Sequence, residues 1–378
     1  MNLPFEFGHI VTGNDFINRK VELEKLKINF ESGVNTMLIS PRRWGKSSLV
    51  KQVILSLQSR KDLVICYIDL FAVRTEEELL NLFAKEVIKQ TSSKWEDWVE
   101  SVKAFIKNAA PKVAFGAPDM QAELELAWHS KKIDPIEIFQ LPEAIAKKKK
   151  IKIVVCIDEF QNIAWLSDPV AAQKQMRSVW QNHQSTSYCL FGSKKSWLTD
   201  IFTSYSMPFY RFGDLMYLEK ISSTHWEKYI IQQFERTGKK ISSELALKIT
   251  SLVQLHPQYV QQLAQKVWIC TDKEVTTEAL DHGVEELLNT MSIAYQRDVE
   301  LLTSTQLNFL RAFIAGVREF NSAETLSSYH LGSSSNIVRI KKALEQKEIM
   351  DFFNKEPEFV DPVFQLWITK KFFKLSSP

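Results

Sequence analysis

The chain has 378 residues, 45% apolar and 25% charged, which is ordinary soluble globular usage over a length that suggests two or three domains. Its 11 glycines and 12 prolines are about half the usual share, which excludes collagen-like and low-complexity classes and favours helices with short connections. A net charge of +3 advertises no polyanion partner, no apolar run approaches the roughly 20 residues of a membrane span, and the opening residues suggest no signal peptide. Cys66, Cys156, Cys189 and Cys270 form no C-x-x-C and the histidines no H-E-x-x-H, so no zinc site is expected. Three of these cysteines fall in short apolar runs and read as buried packing residues. A cytoplasmic protein away from membranes is the expectation.

Residues 19–30 place Val21, Leu23, Leu26 and Phe30 near helical spacing, an amphipathic opening helix. T-M-L-I-S reads as a short buried strand ending at Ser40, followed by a turn rich in positive charge. A helix follows from Lys46, with Leu49, Val50, Val53, Ile54 and Leu57 on one face. Residues 63–70 form a second strand ending in an aspartate, and Thr75 before three glutamates caps a helix to about Gln90. Residues 92–150 interrupt the alternation. Two alternating segments about G-A-P-D suggest a β-hairpin, Asp134-Pro135 starts a helix, and Pro142 opens a new helix or kinks that one. The run from Lys147 to Lys150 reads as a solvated helix end facing the negative pole of the dipole, a polyanion contact being the sharper alternative.

Residues 151–159, 187–193 and 214–221 are further strands, the first ending in two carboxylates. Strands alternating with helices in this way indicate an α/β fold, a parallel sheet with helices on both faces. From 222 to 297 only helical periodicity appears. From Ser304 the pattern is helix, short helix, helix, then two short strands about a polar turn within 349–360. The expected domains are a core over 1–221 with an insertion at 92–150, a helical lid over 222–300 and a winged helix over 301–378.

Residues 40–48, S-P-R-R-W-G-K-S-S, lie between a strand and a helix and match the phosphate-loop pattern G-x-x-x-x-G-K-[ST] except where Ser40 replaces the first glycine. Such a loop wraps phosphates with backbone N–H groups at a helix N-terminus, where the dipole favours anions. Gly45 lets the backbone come close, Lys46 reaches the outer phosphates, and the Ser47 hydroxyl can ligate Mg²⁺. At the tip of a neighbouring strand Asp158 partners the metal and Glu159 polarises the attacking water. ATP or ADP with Mg²⁺ is therefore the expected ligand, cradled by Pro41, Arg42, Arg43, Trp44, Gly45, Lys46, Ser47 and Ser48. Arginine pairs with phosphate and carboxylate alike, so Arg42 and Arg43 stand open between nucleotide, lid and solvent. Trp44, at the phosphate end, reads as packing.

S-P-R-R-W-G-K-S-S-L, I-D-E-F-Q-N-I and L-F-G-S with P-F-Y downstream resemble the archaeal ATPase family of P-loop proteins, a branch of the AAA+-like STAND ATPases. The likeness covers nearly the whole chain, from F-I-N-R-K-V-E-L to D-P-V-F-Q-L-W. The resemblance implies that Phe16, Ile17, Asn18 and Arg19 border the adenine pocket and that Ser193 senses the γ-phosphate. It makes Arg211, in P-F-Y-R-F, the nearest equivalent of the arginine in the family's P-L-Y-G-R stretch, shifted by one. It also sets Leu255-His256-Pro257 in the place of a G-x-P element near the nucleotide, adding His256 and Pro257 to the site. ATP hydrolysis at low turnover follows, with Ser40 and His256 as departures from the pattern. Arg177, before Ser193, is weighed between a trans-acting finger and a surface salt bridge.

Residues 304–328 and 334–347 read as a helix–turn–helix with 349–360 as its wing, and Arg339, Lys341, Lys342 and Lys347 on the recognition helix. Ten Lys/Arg against eight Asp/Glu over 301–378 is a weak footprint for a DNA reader. The expectation is a nucleotide-dependent switch whose winged helix meets its own chain or a protein partner. The alternative is a winged-helix DNA-binding protein with a secondary ATPase; a homo-oligomer is left open.

Overall fold

The computed structural model describes residues 3–11, 13, 16–92, 95–106, 109–114, 123–128, 134–193, 195–352 and 356–375. The chain parts into two units, Ile10–Glu219 and Met1–His9 with Lys220–Pro378. In the first unit the strand–helix alternation begins with α1 (Lys20–Ser32), β1 (Thr36–Ile39), α2 (Lys46–Leu57), β2 (Leu63–Asp69) and α3 (Glu76–Thr91). The inserted stretch supplies α4 (Trp95–Phe105) and an antiparallel hairpin of β3 (Ala109–Ala114) and β4 (Glu123–Trp128). Its G-A-P-D turn lies outside the described residues. Then come α5 (Pro135–Lys149), β5 (Lys152–Asp158), a 3₁₀ turn Phe160–Trp165, α6 (Pro169–Trp180), β6 (Thr186–Gly192), α7 (Lys195–Thr203) and β7 (Asp214–Tyr217).

The five strands other than the hairpin form one parallel sheet in the order β2-β5-β6-β1-β7. Period-2 alternation divides its core into two layers. Met37, Ile68, Val155 and Leu190 face Phe83, Phe139, Met176 and Trp180 on one side. Leu38, Val154, Cys156, Cys189 and Phe191 face Leu26, Phe30, Val50 and Val53 on the other. Cys66, Cys156 and Cys189 are buried within these layers. At α3 the cap is a full capping box between Thr75 and Glu78.

Four local expectations are corrected or narrowed. Val21 is 79% exposed, so α1 seats itself through Leu26 and Phe30, with Leu23 packed at their edge. Of the two alternatives at Pro142 the new helix is excluded, because α5 runs through it with Phe139, Leu141, Pro142 and Ile145 buried, and that packing outweighs one missing hydrogen bond. The last strand stops at Tyr217 instead of residue 221; β7 pairs only with β1, whose final partner Ile39 faces Tyr217 before the chain turns into the phosphate loop. Finally, the acidic strand β5 is not adjacent to β1, since β6 lies between them.

The second unit is helical: α8 (Ser223–Arg236), α9 (Ser243–Leu252), α10 (Pro257–Ile269) and the long α11 (Thr277–Glu300). A Cβ on Gly283 would stand 2.7 Å from Val267 Cγ2, so a side chain there would force α10 and α11 apart. There follow α12 (Ser304–Ile314), α13 (Ala323–Ser328), α14 (Ser334–Gln346), a short antiparallel pair β8 (Met350–Asp351) and β9 (Glu358–Phe359), and α15 (Pro362–Trp367). Asp361 caps α15 and also accepts the hydroxyls of Tyr259 at 2.5 Å and Tyr295 at 3.0 Å, fastening it to α10 and α11. No helix among the described residues is long and apolar enough to cross a membrane.

Candidate nucleotide site

The turn from β1 into α2 holds Arg43 and Gly45 at positive φ, 64° and 89°. Nothing lies within 4 Å of where a Gly45 Cβ would stand, so the residue that adopts this conformation without strain also leaves open space over the backbone. Lys46, the first residue of α2, is buried, and its Nζ donates to the carbonyls of Pro41 at 3.1 Å and Ser40 at 3.5 Å. Burial pulls its pKa down to about 8, against the opposing attraction of Asp158 and Glu159.

The loop is braced from behind. Trp44 is buried, and its carbonyl accepts from Arg19 Nη2 at 3.4 Å. The other guanidinium nitrogen of Arg19 donates to the Glu219 carbonyl at 2.6 Å and to Glu22 at 2.8 Å. Arg19 thus connects the head of α1, the loop and the chain leaving β7. Ser48 Oγ accepts from Val11 N–H at 3.0 Å, and Gly13 N–H donates to Gln52 at 3.0 Å, which holds the incoming segment against α2. Phe16, Ile17 and Asn18 are half-buried beyond it, and Arg42 and Arg43 are exposed.

Across β6, the end of β5 meets the loop. The Ser47 hydroxyl donates to Asp158 Oδ2 at 2.8 Å, and the Tyr67 hydroxyl from β2 donates to the same oxygen at 2.5 Å. The other oxygen of Asp158 accepts the Glu159 N–H at 2.8 Å. Burial raises the Asp158 pKa, and these three donors offset it only in part. Glu159 sits at a left-handed φ of 51°. Its Oε2 accepts from the Ser193 hydroxyl at 2.9 Å and from the Gln161 amide. Lys46, Ser47, Asp158, Glu159 and Ser193 therefore converge at one end of the sheet. Arg211 is exposed, its guanidinium 5.1 Å from the Tyr210 ring centre, and Arg177 lies 4.7 Å from that of Phe212.

His256 and Pro257 belong to the helical unit. The buried His256 ring packs on Tyr259 with centres 4.7 Å apart, and Pro257 opens α10. Leu255, which stands where the resemblance expects glycine, has φ 61°.

Residues 16–207 match the model of a family described as an ATPase domain predominantly from Archaea. The chain belongs to that family. Among solved structures it is similar to the Walker-type ATPase PABY2304 of Pyrococcus abyssi, with 17% identity over 94% of this chain and 96% of the other and a TM-score of 0.65. It is also similar to Aeropyrum pernix ORC2, solved with ADPNP and ADP (12% identity, 96% and 95% covered, TM-score 0.57). A third is Aeropyrum pernix ORC1, solved with DNA (10% identity, 95% and 94% covered, TM-score 0.50). At such identities these likenesses establish the fold, a P-loop ATPase sheet with appended helices. No curated protein matches the chain in sequence.

Two residues in this archaeal-type ATPase site had no functional reading from sequence. Tyr67 looked like one more apolar strand residue, and only the pairing of β2 with β5, Tyr67 opposite Cys156, brings its hydroxyl to Asp158. Gln161 stood inside the I-D-E-F-Q-N-I stretch, and only the fold shows that it is buried against Glu159 and Ser193.

Proposed function

We propose that the chain binds ATP with Mg²⁺, hydrolyses it slowly, and serves as a nucleotide-dependent switch. The observation that carries this reading is the hydrogen bond between Ser47 at the head of α2 and Asp158 at the tip of β5, with the Lys46 ammonium beside them. Hydroxyl and carboxylate are hard oxygen donors of the kind Mg²⁺ takes, so Ser47 and Asp158 are the residues that would hold it. Once bound, Mg²⁺ neutralises phosphate charge.

The roles of the side chains follow from their chemistry. Lys46 exchanges the Ser40 and Pro41 carbonyls for outer phosphate oxygens, joined by N–H groups of residues 42–48. Glu159 takes a proton from the attacking water as its oxygen bonds to the γ-phosphorus and ADP leaves with the bridging oxygen. Ser193 donates to the γ-phosphate. Ile17, Asn18 and Arg19 flank the base, Arg19 through its hold on the Trp44 carbonyl. Arg211, His256 and Pro257 are assigned to the nucleotide on the strength of the family pattern alone.

For output, we take residues 301–378 as a winged helix whose partner is a protein or the chain itself. One neighbour was solved with DNA, yet two of the four cations expected to read it, on α14 and at its C-cap, are engaged within their own unit. Lys347 donates to the Leu301 carbonyl at 3.0 Å, and Lys341 lies under 6 Å from the Phe320 and Phe352 ring centres. The test is hydrogen exchange in ATP and ADP over 222–297 and 304–378. Different protection in the two states is the expected result. Identical protection, with tight salt-sensitive binding to duplex DNA, overturns the switch in favour of a DNA-binding module.

A further inference from the structure

Gln161 is buried and makes three contacts with its neighbours at the sheet end. Its amide nitrogen donates to Glu159 Oε2 and lies 3.3 Å from Ser193 Oγ, and its carbonyl accepts the Ser193 N–H at 3.2 Å. Gly192 makes the fit, because a Cβ there would stand 1.8 Å from Gln161 Oε1 and 3.2 Å from the Phe160 nitrogen. The amide is therefore clamped between the tips of β5 and β6.

The Ser193 hydroxyl has one proton, and it now lies on Glu159 Oε2 at 2.9 Å. It cannot serve that carboxylate and a phosphate oxygen together. We infer that Gln161 is a positioning residue that holds Glu159 and Ser193 against one another, so that a γ-phosphate draws the Ser193 hydroxyl away from Glu159 and leaves the carboxylate aimed by Gln161 alone. This deepens the hydrolysis proposed above and rests on Glu159 acting as the base. In ADP, with no γ-phosphate to compete, the hydroxyl stays on the carboxylate.

The test uses the full chain. Gln161→Leu keeps the volume and removes both hydrogen-bonding groups, and Gln161→Met repeats the measurement should the branched side chain disturb folding, as judged by circular dichroism. The expected result is a fall in kcat of about tenfold, the scale of a misaimed catalytic group, with KM and the calorimetric Kd for a non-hydrolysable ATP analogue within about twofold of the parent. Added to Ser193→Ala, either Gln161 variant should still lower kcat by about tenfold, because Gln161 holds the carboxylate by its own hydrogen bond once the serine hydroxyl has left it. Parental kcat in both Gln161 variants, or no further loss when either is added to Ser193→Ala, overturns the inference while Glu159 stands. A Glu159→Gln chain that hydrolyses at the parental rate instead overturns the base assignment, and the inference with it.

Discussion

Two buried carboxylates at opposite ends of the same sheet are held by different kinds of donor, and their acidities move in opposite directions. Glu143, on α5, accepts the N–H groups of Gln184 and Ser185 and pairs with Lys147. Burial pushes its pKa up, but the fixed backbone donors and the lysine outweigh that and hold it below the usual range. Asp158, at the far end, faces two side-chain hydroxyls and one N–H, and burial wins, so its pKa is raised. Backbone donors cannot be displaced without unfolding the turn they belong to. Hydroxyls rotate, and each can be traded for a cation or a phosphate. One end of the sheet is closed by its hydrogen bonds, and the other is held in an exchangeable state.

At the exchangeable end the largest effect is expected from Glu159. Glu159→Gln should retain ATP binding and lower turnover by about 100-fold or more, since it removes the base and leaves Ser47 and Asp158 intact. A coupled phosphate-release assay at saturating ATP checks it, and parental turnover would place water activation elsewhere. Next is Lys46→Ala, expected to weaken ATP and ADP binding by about 100-fold, as loss of a buried ionic partner does. Equal calorimetric affinity for the variant and the parent would remove the loop from the site.

The closed end should respond in the opposite way. Glu143→Ala strands two N–H groups and should cost about 2–4 kcal/mol in denaturant unfolding, with nucleotide affinity unchanged within about twofold. A shift in affinity as large as the shift in stability would mean the two ends are not independent. Acid sharpens the contrast. The Glu143 pKa is depressed in the fold, so its stabilisation is complete above the unfolded value and fades as pH falls through the folded one. Asp158 is raised, so its burial penalty is relieved over the range in which Glu143 begins to fail.

Lys46 gives a smaller, pH-dependent effect. Its folded pKa of about 8 lies below the ordinary 10.5, so the ligand-free chain binds fewer protons than the unfolded chain between these values, and its stability rises with pH across that window. Phosphate favours the charged amine, so nucleotide affinity is full below pH 8 and falls above it, by about tenfold from pH 7 to 9. Calorimetry in buffers of different ionisation enthalpy should show proton uptake on binding. Flat affinity with no uptake would show that the amine is already protonated throughout.

The exchangeable end was partly legible in sequence because its chemistry is contiguous. A strand, a glycine-lysine-serine turn and a helix follow one another, and a five-residue apolar run, Ile153 to Ile157, leads into Asp158 and Glu159. Tyr67 and Gln161 were not, because their roles depend on strand register and on Gly192 standing opposite, which no local pattern carries. The contact of Arg19 with the Glu219 carbonyl spans 200 residues and is likewise invisible in the chain order. The run of α5 through Pro142 was left open for a different reason: a proline reads equally as a new start or as a kink, and only the buried face of the helix shows that it continues.

The smallest expected effect tests the two ends through backbone strain. β5 is bracketed by left-handed residues, Lys150 at φ 55° before it and Glu159 at φ 51° after it. Lys150 is exposed and ends α5, its N–H bonded to the Ala146 carbonyl, the position where helices usually carry glycine. A side chain in this conformation costs about 1–2 kcal/mol, and glycine gives back about half of that in unfolded-state entropy. Lys150→Gly should therefore stabilise the chain by about 0.5–1 kcal/mol without altering turnover. Glu159 bears the same strain, yet no glycine can relieve it without deleting the carboxylate proposed as the base. Were Lys150→Gly to lower stability, or to change turnover, the strain before β5 would be coupled to the site after it, and the two ends of the strand could no longer be treated as separate.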